Sequence, residues 1–406
     1  MIMTGTRTGR RSSDRKLLLL SLGLSVCSGF AYLGSSVMPF QIDALMTGLH
    51  QSASRASLFG FFEIMSFAVF MIVLSRVHLR LPVIVTAFLG AALAVMSSLL
   101  IASGATSFIW LWACAIVFGL AEALLGRSFV CAAAASDNPD RIYAIANGGG
   151  QLVLVAVIDA IPYATQVFGA LGVFVGLAGI VICLAPCMLT LRHVPMAPPP
   201  SRRGGTVSFT PGAIALLCIW VGSSLGSSII WSFAETVGRS LNLSANYIVL
   251  LSTLCILSSV GVSFLFGGLA DRLRRDVFLT LTLLGVGVGG LLACSAGNAW
   301  VYTTGVVIYW NCSMLSYAWL LGSAATLDHT GRVGTFCGGM DRMGYALGAP
   351  IGGLIVDHAS FTTLGVAGFI ACVISMPIGL PILFREIRQH QHEDMVRSKI
   401  VQATPV

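Results

Sequence analysis

The chain has 406 residues, of which 56% are apolar and only 10% are charged, whereas soluble domains average about 45–50% apolar and about 25% charged residues. This balance excludes a soluble globule, a disordered protein and a secreted disulfide scaffold, because too few charged groups exist to cover the apolar surface. The formal net charge of +7 can be interpreted only from the positions of the basic residues relative to the predicted spans.

Twelve stretches are long and apolar enough to cross a membrane as helices, which takes about 20 residues for about 30 Å of hydrocarbon. In chain order, spans 1 to 12 are residues 17–39, 54–75, 81–103, 107–129, 141–163, 167–191, 213–236, 246–270, 277–296, 300–326, 332–356 and 361–384. A transmembrane β-barrel would show short alternating segments instead. The predicted fold is therefore all-α: a polytopic membrane protein with twelve transmembrane helices.

Prolines and arginines interrupt the hydrophobic pattern at residues 192–212, which we interpret as a cytoplasmic linker. It separates an N-terminal six-helix bundle, residues 17–191, from a C-terminal one, residues 213–384. A cytoplasmic segment, residues 1–16, and a cytoplasmic tail, residues 385–406, complete the predicted organisation.

The two halves repeat each other. Leu-Gly-Ser-Ser-Val at 33–37 in span 1 recurs as Leu-Gly-Ser-Ser-Ile at 225–229 in span 7, at an offset of 192 residues. Arg141 recurs as Arg332 at an offset of 191 residues. Matches at nearly one offset favour a duplicated six-helix unit with pseudo-symmetry.

The basic residues report the topology. With both termini in the cytoplasm, twenty of the 23 Lys and Arg residues lie in or beside inner segments, against Arg55 and Arg239 outside and Arg342 within a span. The positive-inside rule then predicts a multi-pass protein of the cytoplasmic (inner) membrane. The predicted partner of these charges is the lipid bilayer, not nucleic acid.

Residues 267–275, which follow span 8, read Gly-Gly-Leu-Ala-Asp-Arg-Leu-Arg-Arg. This stretch resembles the signature loop of the major facilitator superfamily, Gly-x-Leu-Ala-Asp-Arg-x-Gly-Arg-Arg, with Arg274 in place of the second glycine. The division into six plus six spans is also similar to that superfamily. The resemblance implies a conformational latch formed by Gly267, Asp271, Arg272, Arg275 and Arg141. An ordinary solvated turn is the alternative.

Four ionisable residues lie inside predicted spans, where charges usually mark pathways or ion pairs. They are Glu63 in span 2, Glu122 in span 4, and Asp341 and Arg342 about 14 Å into span 11. A carboxylate without a cationic partner can carry a proton near neutral pH. Glu63, Asp341 and Glu122 are therefore the predicted proton-coupling residues, with ion pairs that only fix helix packing as the alternative.

Arg342 is the predicted contact for an anionic substrate, because a deep guanidinium needs a partner and its planar fork suits a carboxylate. Asp341 is predicted to be poorly placed for a bidentate contact with Arg342, since adjacent helical positions face apart. Glu63, Glu122 or a substrate carboxylate are the remaining partners. The resemblance implies that spans 1, 4, 7 and 10 line a cavity and spans 2, 5, 8 and 11 flank it. Further substrate candidates on these spans, each of which also suits helix packing, are Asn311, Tyr309, Gln151, Asn147, Tyr32 and Trp231.

Asp43 and Glu235, at equivalent outer span ends, are expected to be solvated.

These features predict a secondary active transporter that moves a small organic solute by alternating access, coupled to protons. The eleven cysteines lie singly, and the sequence has no metal-ligand spacing, Walker A loop or catalytic constellation. No cofactor, ATP or enzymatic activity is therefore expected. A proton-driven multidrug exporter is the first alternative. A transporter-like membrane sensor or scaffold is the second, although a tail of 22 residues is short for an output domain.

Overall fold

The computed structural model describes residues 20–76, 81–104, 107–134, 139–193, 210–269, 274–327 and 332–403. Within these ranges the chain is helical and has no strand, as predicted. The helices of the first half are α1 Leu20–Ala31, α2 Leu33–Gly48, α3 Ala53–Arg76, α4 Val83–Ala102, α5 Phe108–Ala134, α6 Pro139–Phe168 and α7 Gly172–Leu184, followed by a 3₁₀ segment, Ala185–His193. Those of the second half are α8 Pro211–Trp231, α9 Ala234–Ser240, α10 Ala245–Leu269, α11 Arg275–Cys294, α12 Ala299–Leu327, α13 Arg332–His358, α14 Phe361–Val373 and α15 Met376–Ala403.

These helices account for the predicted spans in order. In the described ranges, nine spans are long and apolar enough to cross a membrane, and α1 with α2 forms a tenth that is bent by 44°. Spans 10 and 11 correspond to α12 and α13, which have 29 and 27 residues. The prediction of an all-α, polytopic membrane protein is confirmed.

Span 1 was expected to be one helix, but it breaks at Tyr32. Beyond the last predicted span, residues 385–403 of the predicted tail continue α15 as helix. No Gly or Pro follows Pro381 in α15, and the Glu, Arg, Gln and Lys residues beyond it are good helix formers, so nothing in the sequence stops the helix at the membrane surface.

The chain forms two compact units. The first comprises residues 1–51 and 62–201, and the second comprises residues 52–61 and 202–406. The start of α3 thus belongs to the second unit and the remainder of α3 to the first. In the first unit, α4 packs against α5 and α7, and α6 packs against α7.

In the second unit, α8 is central and packs against α11, α13, α14 and α15, while α11 pairs with α12. Pro211 at its first position and Thr210, whose hydroxyl accepts a bond from Ala213 N at 3.2 Å, begin α8. The core of this unit is apolar and includes Leu216, Ile219, Trp220, Leu279, Leu283, Leu320 and Leu383. Burial of such side chains holds α8 in place and fixes the polar residues that it carries.

Candidate functional site

A break in the first membrane span lies beside two acidic residues of the first unit. α1 and α2 meet at Tyr32 with a bend of 44°. Two residues later, Gly34 N donates to Glu122 Oε1 of α5 at 2.5 Å. In an uninterrupted helix this N–H would donate to the carbonyl four residues earlier. A carboxylate from a distant helix therefore supplies a partner for the start of α2.

Glu63 of α3 lies next to the same backbone position. It is fully buried, as is Glu122, which is 2% exposed. Gln41 Nε2 of α2 donates to Glu63 Oε1 at 3.4 Å. A methyl group added at Gly34 would overlap Glu63 Oε1 and would lie 3.2 Å from Glu122 Oε1. Two buried carboxylates thus converge on one glycine at the N-terminus of α2.

Not every oxygen of this cluster is satisfied. Glu63 Oε2 and Gln41 Oε1 are buried and have no hydrogen-bond partner among the residues that the structure describes. Buried polar atoms are bonded in the great majority of cases, and an exception calls for an explanation. We refer to Gly34, Gln41, Glu63 and Glu122 as the acid cluster.

The second unit contains Asp341 and Arg342 on α13. Asp341 is 7% exposed and accepts a hydrogen bond from the Ser224 hydroxyl of α8. Arg342 Nε lies 3.6 Å from Asp341 Oδ2. The sequence neighbour is therefore an ion-pair partner of Arg342, which is the alternative that the sequence left open. At 3.6 Å the contact is longer than a hydrogen bond, which fits the divergence of consecutive side chains on a helix.

Trp231 and Tyr309 form an aromatic cluster with Trp310 in the second unit. The rings of Trp231 and Tyr309 stack with centroids 5.9 Å apart, and Trp231 and Trp310 lie 4.6 Å apart. The Tyr309 hydroxyl bonds Ser227 Oγ at 2.5 Å. The indole N–H groups of both tryptophans are buried without a hydrogen-bond partner in the described part of the chain.

The other substrate candidates have different surroundings. Asn311 exchanges hydrogen bonds of 3.1 Å with Ser258 of α10, so it joins two helices of the second unit. Tyr32 is half-buried at the α1–α2 break. On α6, Gln151 is half-buried and Asn147 is exposed. Among these four, only Tyr32 adjoins the acid cluster along the chain.

The predicted latch is described only in part. Gly267 lies within α10. Asp271, Arg272 and the side chain of Arg141 lie outside the described residues, so this latch stays a prediction. Arg275 donates from Nη1 to Thr326 Oγ1 of α12 at 2.7 Å.

The expectation that Asp43 and Glu235 are solvated is wrong. They are 5% and 3% exposed. The predicted span 1 ended at residue 39, whereas α2 runs to Gly48 and places Asp43 inside a buried helix. Glu235 lies in the first turn of α9, and Arg239 one turn later bonds its carboxylate at 2.6 Å.

Sequence reasoning identified the buried acids but missed Gln41, Gly34 and Ser224 as their partners. Gln41 could have been identified from the sequence, since an amide among apolar residues needs a polar neighbour.

The described residues contain no cluster of three or more His, Cys, Asp or Glu side chains that could hold a metal ion.

Comparison with known proteins supports the fold. The chain is similar to the nucleoside transporter NupG at 13% identity, with a TM-score of 0.67, over 90% of this chain and 99% of that one. It is similar to a POT family transporter in complex with a thioalcohol conjugated peptide, at 14% identity and a TM-score of 0.70, over 92% and 96% of the two chains. For a D-xylose-proton symporter the values are 14% and 0.65, over 89% and 96%.

No curated protein matches the chain by sequence. The family model described as Major Facilitator Superfamily matches residues 216–405, which cover the second unit from α8 onward. The helices of both units have the fold of the transporters named above. Residues 216–405 therefore match the major facilitator superfamily, and the chain as a whole has a transporter fold.

Proposed function

We propose that the chain is a secondary active transporter that moves a small anionic organic solute by alternating access, coupled to protons. The acid cluster carries this proposal. Glu63 and Glu122 are both buried, yet Glu63 Oε2 lacks a hydrogen-bond partner among the described residues. A carboxylate that only stabilises helix packing would be expected to have both oxygens satisfied. An incompletely bonded one fits a group that gains and loses a proton.

A proton on Glu63 would change the cluster in two ways. It would give Oε2 an O–H donor at a place where Gln41 Oε1 and Glu63 Oε2 are acceptors without donors. It would also reduce the repulsion between two carboxylates that face the same backbone position. Because Glu122 bonds Gly34 N, proton uptake and release are thereby linked to the α1–α2 break.

We assign Asp341 a different role. Its carboxylate accepts a hydrogen bond from Ser224 and lies beside Arg342. A carboxylate in this place can orient the guanidinium. Glu63 is thus the proposed proton carrier, Glu122 its positioning partner, and Asp341 the positioning partner of Arg342.

The similar structures support proton coupling but do not select a substrate. One of them is named as a D-xylose-proton symporter. The names of the others refer to a nucleoside and to a conjugated peptide, so the fold accommodates unlike solutes. Arg342, whose side chain is 21% exposed, favours a solute with a carboxylate or another anionic group.

We place the protein in the cytoplasmic membrane with both termini and the linker inside, on the basis of the twenty basic residues at inner segments. The proposed partners are the solute, protons and the lipid bilayer, without ATP or nucleic acid.

Transport by the purified protein in proteoliposomes tests the proposal. The panel contains labelled carboxylic acids, neutral sugars and nucleosides, and cationic dyes, each with and without a pH gradient. We expect a carboxylic acid to accumulate only with the gradient and to equilibrate when a protonophore collapses it. Accumulation that is indifferent to the gradient would contradict proton coupling. Absence of movement for the whole panel would favour a sensor or scaffold.

The aromatic cluster favours a second candidate function, a proton-driven multidrug exporter. Stacked Trp231 and Tyr309 offer flat apolar surfaces, and aromatic faces also attract organic cations. In the same panel, this candidate requires gradient-driven movement of the dyes rather than of the acids.

Replacing Arg342 with Lys is expected to raise the KM for an anionic solute about tenfold or more, because an ammonium cannot reproduce a planar two-pronged contact. A neutral solute, if transported, should show an unchanged KM. Concentration-dependent uptake measures both. Arg239→Lys is the matched control, since Arg239 pairs with Glu235 instead. An equal rise in both variants would remove Arg342 from the substrate site.

A further inference from the structure

Gln41, which contributes to the acid cluster from α2, has a buried oxygen atom without a donor. Its side chain is fully buried. Its Nε2 donates to Glu63 Oε1 at 3.4 Å, whereas its Oε1 accepts no hydrogen bond from the described residues, and the same holds for Glu63 Oε2. Each of these two oxygens belongs to the same planar group as an atom of the 3.4 Å contact. Two unbonded acceptors therefore lie close to one contact between α2 and α3.

The carboxylate of Glu122 brings further negative charge to this place. A methyl group built at Gly34 would overlap Glu63 Oε1 and would lie 3.2 Å from Glu122 Oε1, so both carboxylates approach one point on α2. Glu63 is fully buried and Glu122 is 2% exposed. Two carboxylates that meet inside a membrane span repel each other and lose their hydration. Their arrangement thus favours a bound positive charge.

The break between α1 and α2 supplies oxygen atoms of another kind. In a continuous helix Gly34 N would donate to Phe30 O, but here it donates to Glu122 Oε1 at 2.5 Å. Backbone carbonyls at interrupted membrane helices are groups that coordinate Na⁺ in transporters. Carboxylate, amide and carbonyl oxygens together form a hard ligand set, which suits Na⁺ and similar ions rather than Zn²⁺ or Cu²⁺.

The tight packing of the cluster favours a small monovalent ion. Mg²⁺ usually keeps several of its water ligands, and a site with no space for a methyl group at Gly34 has little room for them. A buried water molecule can donate to both unbonded oxygens, but it carries no charge to set against two carboxylates. Na⁺ provides the charge without a hydration shell.

We propose that the acid cluster is a Na⁺ site, in which Glu63 and Gln41 bind the ion through their unbonded oxygens and Glu122 balances its charge. A proton on Glu63 uses the same oxygens, so Na⁺ and the proton occupy the cluster as alternatives. The proposal rests on the proposed function only for its consequence, that a Na⁺ gradient drives accumulation of the solute. Binding itself belongs to the first unit, which contains all four cluster residues.

Equilibrium binding of radiolabelled Na⁺ to the purified protein tests the site without any solute. Choline chloride keeps the ionic strength constant, so that general effects of salt cancel. We expect saturable binding at a single site per chain, with effective competition by Li⁺ and weak competition by the larger K⁺. Absence of saturable binding would overturn the proposal, and a bound water molecule would then explain the two oxygens.

Gln41→Leu removes one ligand and leaves both carboxylates in place. We expect it to weaken Na⁺ binding about tenfold or more, since a buried polar contact to a charged group is lost. Leucine is apolar and close to glutamine in size, so the variant should fold. Gln151→Leu is the matched control, because Gln151 is a half-buried amide of α6 in the same unit. Wild-type affinity in Gln41→Leu, or an equal loss in both variants, would place the ion elsewhere and overturn the assignment.

Glu63→Gln tests the charge in the same binding assay. It should remove saturable Na⁺ binding, because a neutral amide replaces the carboxylate that faces Gln41. Asp43→Asn, which changes another buried acid of the first unit, should bind Na⁺ like the wild-type protein. Binding that persists in Glu63→Gln would exclude Glu63 as a ligand.

Accumulation in proteoliposomes separates this proposal from the proposed function. With an inward Na⁺ gradient, no pH gradient and a protonophore present, the wild-type protein should accumulate the solute, and Gln41→Leu should lose most of this accumulation. Accumulation that follows a pH gradient but never a Na⁺ gradient would overturn the role of Na⁺ and leave the proposed function intact. Saturable Na⁺ binding without movement of any solute would contradict the proposed function and support the site.

Discussion

Replacing Glu63 with Gln is expected to abolish uphill accumulation of the solute while exchange of solute down its own gradient continues. Glutamine keeps the size of the side chain and can bond Gln41, but it cannot carry a proton. A gradient of one pH unit can sustain about tenfold accumulation for each coupled proton. In Glu63→Gln proteoliposomes the accumulation ratio should therefore fall to about 1.

Asp43→Asn is the matched control for this variant. Asp43 is also a buried acid of the first unit and lies on α2 near Gln41, but we assign it no proton. If loss of any buried carboxylate disturbed the unit, both variants would fail alike. If Glu63→Gln accumulates the solute at the wild-type ratio, Glu63 is not the proton carrier, and Glu122 or Asp341 takes that role. The corresponding variants Glu122→Gln and Asp341→Asn then decide between these two acids.

The general fold was predictable because hydrophobicity acts locally. About twenty apolar residues must cross the membrane as helix whatever surrounds them, so α4, α8 and α11 begin and end close to the predicted spans. The bend at Tyr32 was not predictable in this way. Pro39, the proline inside α2, lies seven residues beyond it. At the break, the partner of Gly34 N is Glu122, 88 residues away in the sequence.

The site residues also divide into those that local sequence predicts and those that depend on distant contacts. Glu63, Glu122 and Asp341 could be predicted from their residue type, because a carboxylate within an apolar span is costly wherever it points. Their partners depend on which helices meet. Gln41 and Ser224 lie 22 and 117 residues from the acids that they bond. The hydrophobic pattern along one helix does not predict such contacts with another helix. Serines in particular are too common in these spans to single out Ser224.

Gly34→Ala is expected to damage the acid cluster without changing any charged residue. The added methyl group would overlap the Glu63 carboxylate and approach Glu122 Oε1 to 3.2 Å. A carboxylate in solvent could move aside, but Glu63 is fully buried. Overpacking of this kind typically costs about 1–3 kcal/mol. We expect a lower thermal stability, together with a loss of pH-driven accumulation that exceeds the loss of solute binding.

Gly148→Ala separates this effect from a general intolerance of the helices to alanine. Gly148 is a glycine of α6 in the same unit, and a methyl group there meets nothing within 4 Å. Alanine should therefore be neutral at Gly148, or favourable by up to about 1 kcal/mol through its helix propensity. Thermal unfolding and accumulation measured on both variants give the comparison.

Because Gly34→Ala leaves both acids in the chain, wild-type coupling in this variant would show that proton transfer does not depend on how the carboxylates converge at α2. Loss of coupling in a folded Gly34→Ala protein would mean that their geometry at the helix break, and not only their presence, connects the proton to the movement of the solute.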